Sequence, residues 1–238
     1  MIKKSLNQNS NYIQTMIESI GPNFSFNKKP LNRLKLTNNH DIIFGDKIDE
    51  LSKLKKKINS IENCNLKTNR KNIILGDGNI NSSLMIVGEA PGEPEEKTQS
   101  TFQGNAGALL NKMLMAINIE RKKIYCAYSV NFRTPDDRKP NSEEIKRYSV
   151  FLKEHIKIIN PKIIILMGST AMETVLGLNT KISYERGQWK EIIIKNKTFP
   201  IIITFSPSYL IRFPEFKKYS WEDLKKIKKK MQDLNITI

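Results

Sequence analysis

The sequence predicts an α/β protein: a three-layer α/β/α domain with a four-stranded, mainly parallel central sheet. Three observations point there. Apolar runs of strand length at 84–86, 123–130, 163–167 and 199–205 alternate with helical patterns, in the order β-α-β-α-β-α-β. The run I-I-I-L-M at 163–167 is apolar throughout, as a parallel strand covered on both faces requires. Three polar loops, at 88–102, 128–138 and 206–212, follow strand ends, and ligands of open α/β sheets bind outside the carboxyl ends of the strands.

Length and composition bound the reading. At 238 residues the chain accommodates one such domain plus an extension. Residues 1–45, rich in Asn, Lys and Ser, predict a partly disordered N-terminal extension with one short helix at 12–20, and 46–238 the folded domain. No apolar stretch is long enough to span a bilayer, and charge at 1–10 without a following apolar core argues against a signal peptide. Two cysteines, Cys64 and Cys126, suit a reducing compartment, so a cytoplasmic protein is expected, as a monomer and without contact to a membrane.

A net charge of +16 suits a polyanionic partner. Much of it, however, is lysine accompanied by abundant Asn and Ile, the signature of A+T-rich codons. Arginine is scarce, with eight in all, and Arg133, Arg138, Arg186 and Arg212 fall in or beside predicted loops where a planar fork can grip phosphate. Arg33, Arg70, Arg121 and Arg147 read as surface residues.

The elements follow in order. Residues 46–61 have apolar side chains at helical spacing. Leu75-Gly76-Asp77-Gly78 is a turn signal before the first strand. Residues 106–118 are apolar on most faces and predict a buried helix, with Met113 and Met115 as core filler. Asn141 and Glu144 form a capping box for a helix running to about 160, where Pro161 stops it. Gly168-Ser169-Thr170 opens a helix over 171–176. Residues 192–195 and 199–205 predict a hairpin whose second arm is the fourth central strand, and 221–234 the last helix. Its lysines cover more than one face, which describes a solvated surface rather than a nucleic-acid stripe.

The densest chemistry is V-G-E-A-P-G-E-P-E-E at 87–96. Gly88 and Gly92 permit close backbone approach to a ligand, Pro91 stiffens the bend, and Glu89, Glu95 and Glu96 crowd one loop. The segment lacks the lysine of a phosphate-binding P-loop and the glycine spacing of a dinucleotide fingerprint.

Residues 87–107 resemble the first motif of the uracil-DNA glycosylase superfamily, particularly the branch first described with an iron–sulfur cluster. The likeness continues through R-T-P-D-D-R-K-P at 133–140, E-R-G-Q-W at 185–189 and P-S-Y-L-I-R at 207–212, and so spans roughly 64–231. It implies hydrolysis of the N-glycosidic bond of uracil, or a related deaminated base, in DNA for base excision repair. Such a catalyst must extrude the base, stack it, stabilise the departing anion and position a water. By resemblance, Glu89, Glu95 and Ser206 hold catalytic positions and Gly88, Ala90, Phe102 and Tyr128 surround the base. Arg133, Arg138, Ser208, Tyr209, Leu210 and Arg212 match positions that contact DNA, with Tyr209–Ile211 as the wedge that fills the gap in the duplex. On residues alone, the two glutamates also read as surface carboxylates and Phe102 as a core ring.

Two departures from the family bear on turnover. Ser206 stands where the family usually has a histidine that donates to the leaving base, and Tyr128 where it has an asparagine that reads the uracil edge. Loss of one positioned anion donor costs roughly 3–4 kcal/mol in a comparable site. A slowed enzyme is expected; the alternative is a homologue that recognises a flipped or damaged base without efficient excision. A third departure concerns the cofactor. A cluster needs four cysteines, whereas only Cys64 falls near an expected place, and Phe132 and Tyr148 stand at others. No cluster, metal or other cofactor is expected. His40 and His155 are not expected to act as base or ligand.

Overall fold

Successive side chains along each inner strand point to opposite sides of the sheet and sort the core into two faces. In the computed structural model, which describes residues 44–61, 66 and 73–237, six strands form one sheet. They are β1 Gly76–Gly78, β2 Leu84–Gly88, β3 Tyr125–Tyr128, β4 Ile163–Met167, β5 Trp189–Ile194 and β6 Lys197–Thr204, in spatial order β1-β3-β2-β4-β6-β5. The four inner strands pair in parallel and both edges are antiparallel. Four of the six strands are thus the predicted parallel sheet; the correction lies at its margins. The three-residue β1 falls on the predicted turn, because Gly-Asp-Gly has no apolar residue to signal a strand. The other strand beyond the four is β5, the first arm of the predicted hairpin, which joins the same sheet through β6. Lys195 and Asn196, both with positive φ, make the tight two-residue connection whose twist suits a hairpin.

On one face, Leu84, Ile86, Cys126, Ile165 and Ile202 pack under α3 (Gly104–Met115) and α8 (Lys217–Asp233). On the other, Met85, Val87, Ala127, Ile164 and Leu166 pack under α4 (Ser142–Ile159) and α5 (Ser169–Leu176). A third cluster gathers Leu54 and Ile58 of α1 (Phe44–Asn59) with Val130, Phe132, Tyr148 and Ile158. The capping box holds at α4: Glu144 N–H donates to Asn141 Oδ1 at 2.9 Å, and Asn141 N–H donates to Glu144 Oε2 at 2.8 Å. Asn160 in the left-handed conformation closes the helix before Pro161.

Three expectations require correction. Helix α3 is buried along one stripe only (Gly107, Leu110, Met113, Leu114), and Met115 is 70% exposed. Its many apolar residues overstated the covered arc. Residues 93–98 and 207–212, read as loop, are short helices α2 (Glu93–Thr98) and α7 (Pro207–Arg212), each entered through a proline in its first turn. Arg121 is half-buried and paired with Asp77 rather than a free surface residue. The remaining helix, α6, is Ile182–Glu185. The helix at 12–20, His40, Cys64, Arg33 and Arg70 lie outside the described residues. Among the described residues, no helix is long and apolar enough to cross a membrane.

Buried groups on α4 and α8 link stability to charge. Asp223, fully buried, accepts from Arg186 Nε at 3.0 Å and from the Thr204 hydroxyl at 2.8 Å, docking α8 on β6. His155 lies with Nε2 2.9 Å from the Tyr125 hydroxyl, and burial pushes its pKa down to about 3. The unfolded chain, with a histidine pKa near ~6.5, binds the additional proton between those values. His155 therefore contributes stability that is complete above pH ~6.5 and is lost as pH falls toward 3, by up to about 1.4 kcal/mol per pH unit. Urea unfolding at pH 7, 5 and 4 is expected to show this slope, and His155→Leu to flatten it.

Candidate active site

The carboxyl ends of β2, β3, β4 and β6 open into one cleft of about 690 Å³. Its floor is set by Gly88. A Cβ there would lie 2.7 Å from Phe102 Cζ and 2.8 Å from Tyr128 Cε1, so the two rings close over the glycine, with centroids 5.1 Å apart. The close approach that Gly88 permits is thus first of all to its own rings.

Glu89 follows at the end of β2, half-buried in the cleft wall. Its Oε1 accepts from Thr170 N–H at 3.1 Å and from the Ser169 hydroxyl at 3.5 Å, at the first turn of α5. Gly168 makes this possible: with φ +103, it would carry a Cβ only 2.4 Å from Glu89 Cδ. One carboxylate oxygen is therefore anchored by the opening turn of a helix, where N–H groups lack partners of their own.

Glu95 is placed differently. It is buried in α2, its Oε2 accepts from Gly92 N–H at 2.9 Å, and its Oε1 accepts from Gln103 N–H at 2.8 Å. Both oxygens tie loops together. Tyr128, 4% exposed, accepts from Phe102 N–H at 2.8 Å. Burial first, then the nearby Glu95 charge, raise its pKa well above the ordinary phenol value.

Across the cleft, Ser206 caps α7. Its Oγ accepts from Tyr209 N–H at 3.3 Å, which leaves the hydroxyl proton to donate elsewhere. Tyr209 stacks on Phe205 at 5.0 Å, interplanar angle 14°. Ala90, Ser208 and the exposed Arg212 complete the wall.

Two residues expected at the site do not line it. Leu210 is 1% exposed and packs in the core, because the helical phase of α7 turns it inward while Ile211 and Phe213 face outward. Arg133 is held by Asp137 through Nε at 2.6 Å and by Glu96 at 3.2 Å, behind the loop it steadies. Arg138 does line the cleft, but Glu144 grips its guanidinium twice, at 2.9 and 2.7 Å. Arg186 is likewise committed, to Asp223. Sequence reasoning missed Thr170 and Ser169 as partners of Glu89. The signal was present, since a helix opening directly after a parallel strand places its N-terminus at this edge.

The architecture and the cleft define a class: a doubly covered, mostly parallel α/β domain with carboxylate, hydroxyl and aromatic groups converging at the strand ends. The chain belongs to the uracil-DNA glycosylase superfamily, whose family model (Uracil DNA glycosylase superfamily) matches residues 75–225. It is similar to the type-4 uracil-DNA glycosylase of Thermotoga maritima, 38% identical over 69% of this chain and 86% of the relative. The type-4 enzyme of Sulfurisphaera tokodaii is 34% identical over 76% of this chain and 84% of its own length. That of Archaeoglobus fulgidus is 29% identical over 76% and 92%.

The cluster associated with that branch does not fit the residues present. The chain has two cysteines. Cys126 lies inside the sheet, where burial pushes its thiol up to about 12. Phe132 and Tyr148 pack edge-on, centroids 6.4 Å apart, in an apolar cluster.

Because Gly88 leaves no room beneath the two rings, Gly88→Ala is expected to destabilise the protein by about 1–3 kcal/mol, read from denaturant unfolding.

Proposed function

We propose that this protein hydrolyses the N-glycosidic bond of uracil, or a related deaminated base, in DNA, releasing the free base and leaving an abasic site. The observation that carries the reading is the convergence of an anchored carboxylate (Glu89), a buried aromatic pair (Phe102, Tyr128) and a hydroxyl (Ser206) on one cleft. Its family and the activity named for its relatives support it.

The chemistry divides among those groups. As the bond from C1′ to the base nitrogen lengthens, positive charge grows on the sugar and negative charge on the base. Glu89, fixed through Oε1, turns its other oxygen to the water, which delivers hydroxide to C1′ while its proton passes to the carboxylate. Ser206 donates its free hydroxyl proton as a hydrogen bond to the departing base. Phe102 supplies the stacking face. Arg212, without an ion-pair partner among the described residues, and the exposed Ser208 meet the DNA backbone beside the cleft. Ile211 and Phe213, rather than Leu210, present the apolar surface there. Glu95 orders the loops that frame the base.

A second reading, a DNA-binding homologue that retains the base without releasing it, is favoured by one observation: the Tyr128 hydroxyl is already engaged by the protein. A duplex with a single uracil, incubated with the protein and then with hot alkali, separates the two. Strand cleavage is expected; retention on the duplex without cleavage supports the binder. Glu89→Gln is expected to slow excision at least about a hundredfold in single-turnover assays. Ser206→His, which restores a stronger donor, is expected to raise the rate at least about tenfold.

A further inference from the structure

Residues Thr101–Gln103 belong to neither strand nor helix, and Phe102 has φ +51, a left-handed conformation that a bulky side chain rarely adopts. Such a segment has no ladder to satisfy its backbone donors, yet Thr101 and Phe102 are buried. Three side chains from other elements supply the partners.

Asp77, on the β1 edge, accepts from Thr101 N–H at 2.6 Å and from the Thr101 hydroxyl at 2.8 Å. Arg121 pairs with that carboxylate and also donates to Thr101 Oγ1 at 2.8 Å. Tyr128 Oη accepts from Phe102 N–H, and Glu95 Oε1 accepts from Gln103 N–H, each at 2.8 Å. On the far side, the Phe102 carbonyl occupies the space where a Cβ on residue 107 would sit, 1.8 Å away, so only glycine fits there. Tyr128 is 4% exposed, which keeps its hydroxyl inside the protein, near the Glu95 carboxylate. The hydroxyl that a reader of the base edge would need is thus turned to the Phe102 amide.

We propose that Asp77, Glu95 and Tyr128 form a three-point clamp that presets Thr101–Gln103, so that Tyr128 is a positioning residue for the Phe102 ring and not a reader of the base edge. The inference rests on the glycosylase reading above and deepens it. Base selection then passes through stacking, slot shape and backbone groups, and the clamp acts on the rate by holding the ring ready before DNA arrives. Asp77 lies outside the cleft and yet controls it.

The test uses the full chain and two duplexes, one with uracil and one with 4-thiouracil, whose Watson–Crick edge differs at one atom. Tyr128→Phe and Asp77→Asn are each expected to lower kcat at least tenfold on both duplexes, with KM moving less than threefold. The uracil to 4-thiouracil ratio is expected to stay within threefold of the unmodified protein. Hydrogen exchange at amides 101–103 is expected to quicken at least tenfold in both variants, while exchange in α4 stays unchanged. A change above tenfold in the ratio with Tyr128→Phe would make Tyr128 a base reader and overturn the proposal. Unchanged exchange in both variants would also overturn it. If the unmodified protein excises neither base, the glycosylase reading falls, and the clamp stands or falls on exchange alone.

Discussion

Four parallel strands buried on both faces impose the constraint on which the rest depends. A strand covered above and below has no place for an unpaired polar group, since each would have to leave water without a partner. Leu84–Val87, Tyr125–Ala127 and Ile163–Met167 obey this with almost no polar atoms outside their backbones. Polar chemistry is driven to the strand ends. The parallel direction then brings all four carboxyl ends to the same edge, so segments far apart in the chain become neighbours by topology alone.

At that edge the polar groups hold one another. Glu89 leans on the first turn of α5, Glu95 bridges α2 and the start of α3, and Tyr128 reaches the Phe102 amide. Carboxylates that look equivalent in the sequence take different parts according to what surrounds them. Glu95 has both oxygens occupied by backbone N–H groups, whereas the hydrogen bonds of Glu89 converge on one oxygen. The loop arginines show the same logic. Arg133 and Arg138 brace loops through Asp137, Glu96 and Glu144, and Arg212 stays uncommitted among the described residues. A count of basic residues could not sort them, because pairing depends on carboxylates four to thirty-seven positions away.

What was legible in the chain was whatever rests on local periodicity. The run at 163–167, the Asn141–Glu144 box and the stop at Pro161 are dictated by nearest neighbours, and each falls where the pattern put it. The strand β1 was not legible, because Gly76-Asp77-Gly78 becomes a strand only when β3 offers it a partner. Nor was the short helix α7, whose six residues carry too little period to reveal that Leu210 points inward. Motif order identified the segments that meet in the cleft. The use each side chain makes of its hydrogen bonds depended on partners that only the fold supplies, as with the Tyr128 hydroxyl.

The ring pair Phe132–Tyr148 closes the apolar cluster that joins α1 and α4 to the segment after β3. A joint built mainly by apolar packing forms as the polypeptide collapses around it, so side-chain volume sets this corner. A substitution that changes volume there would be felt in all of these elements at once.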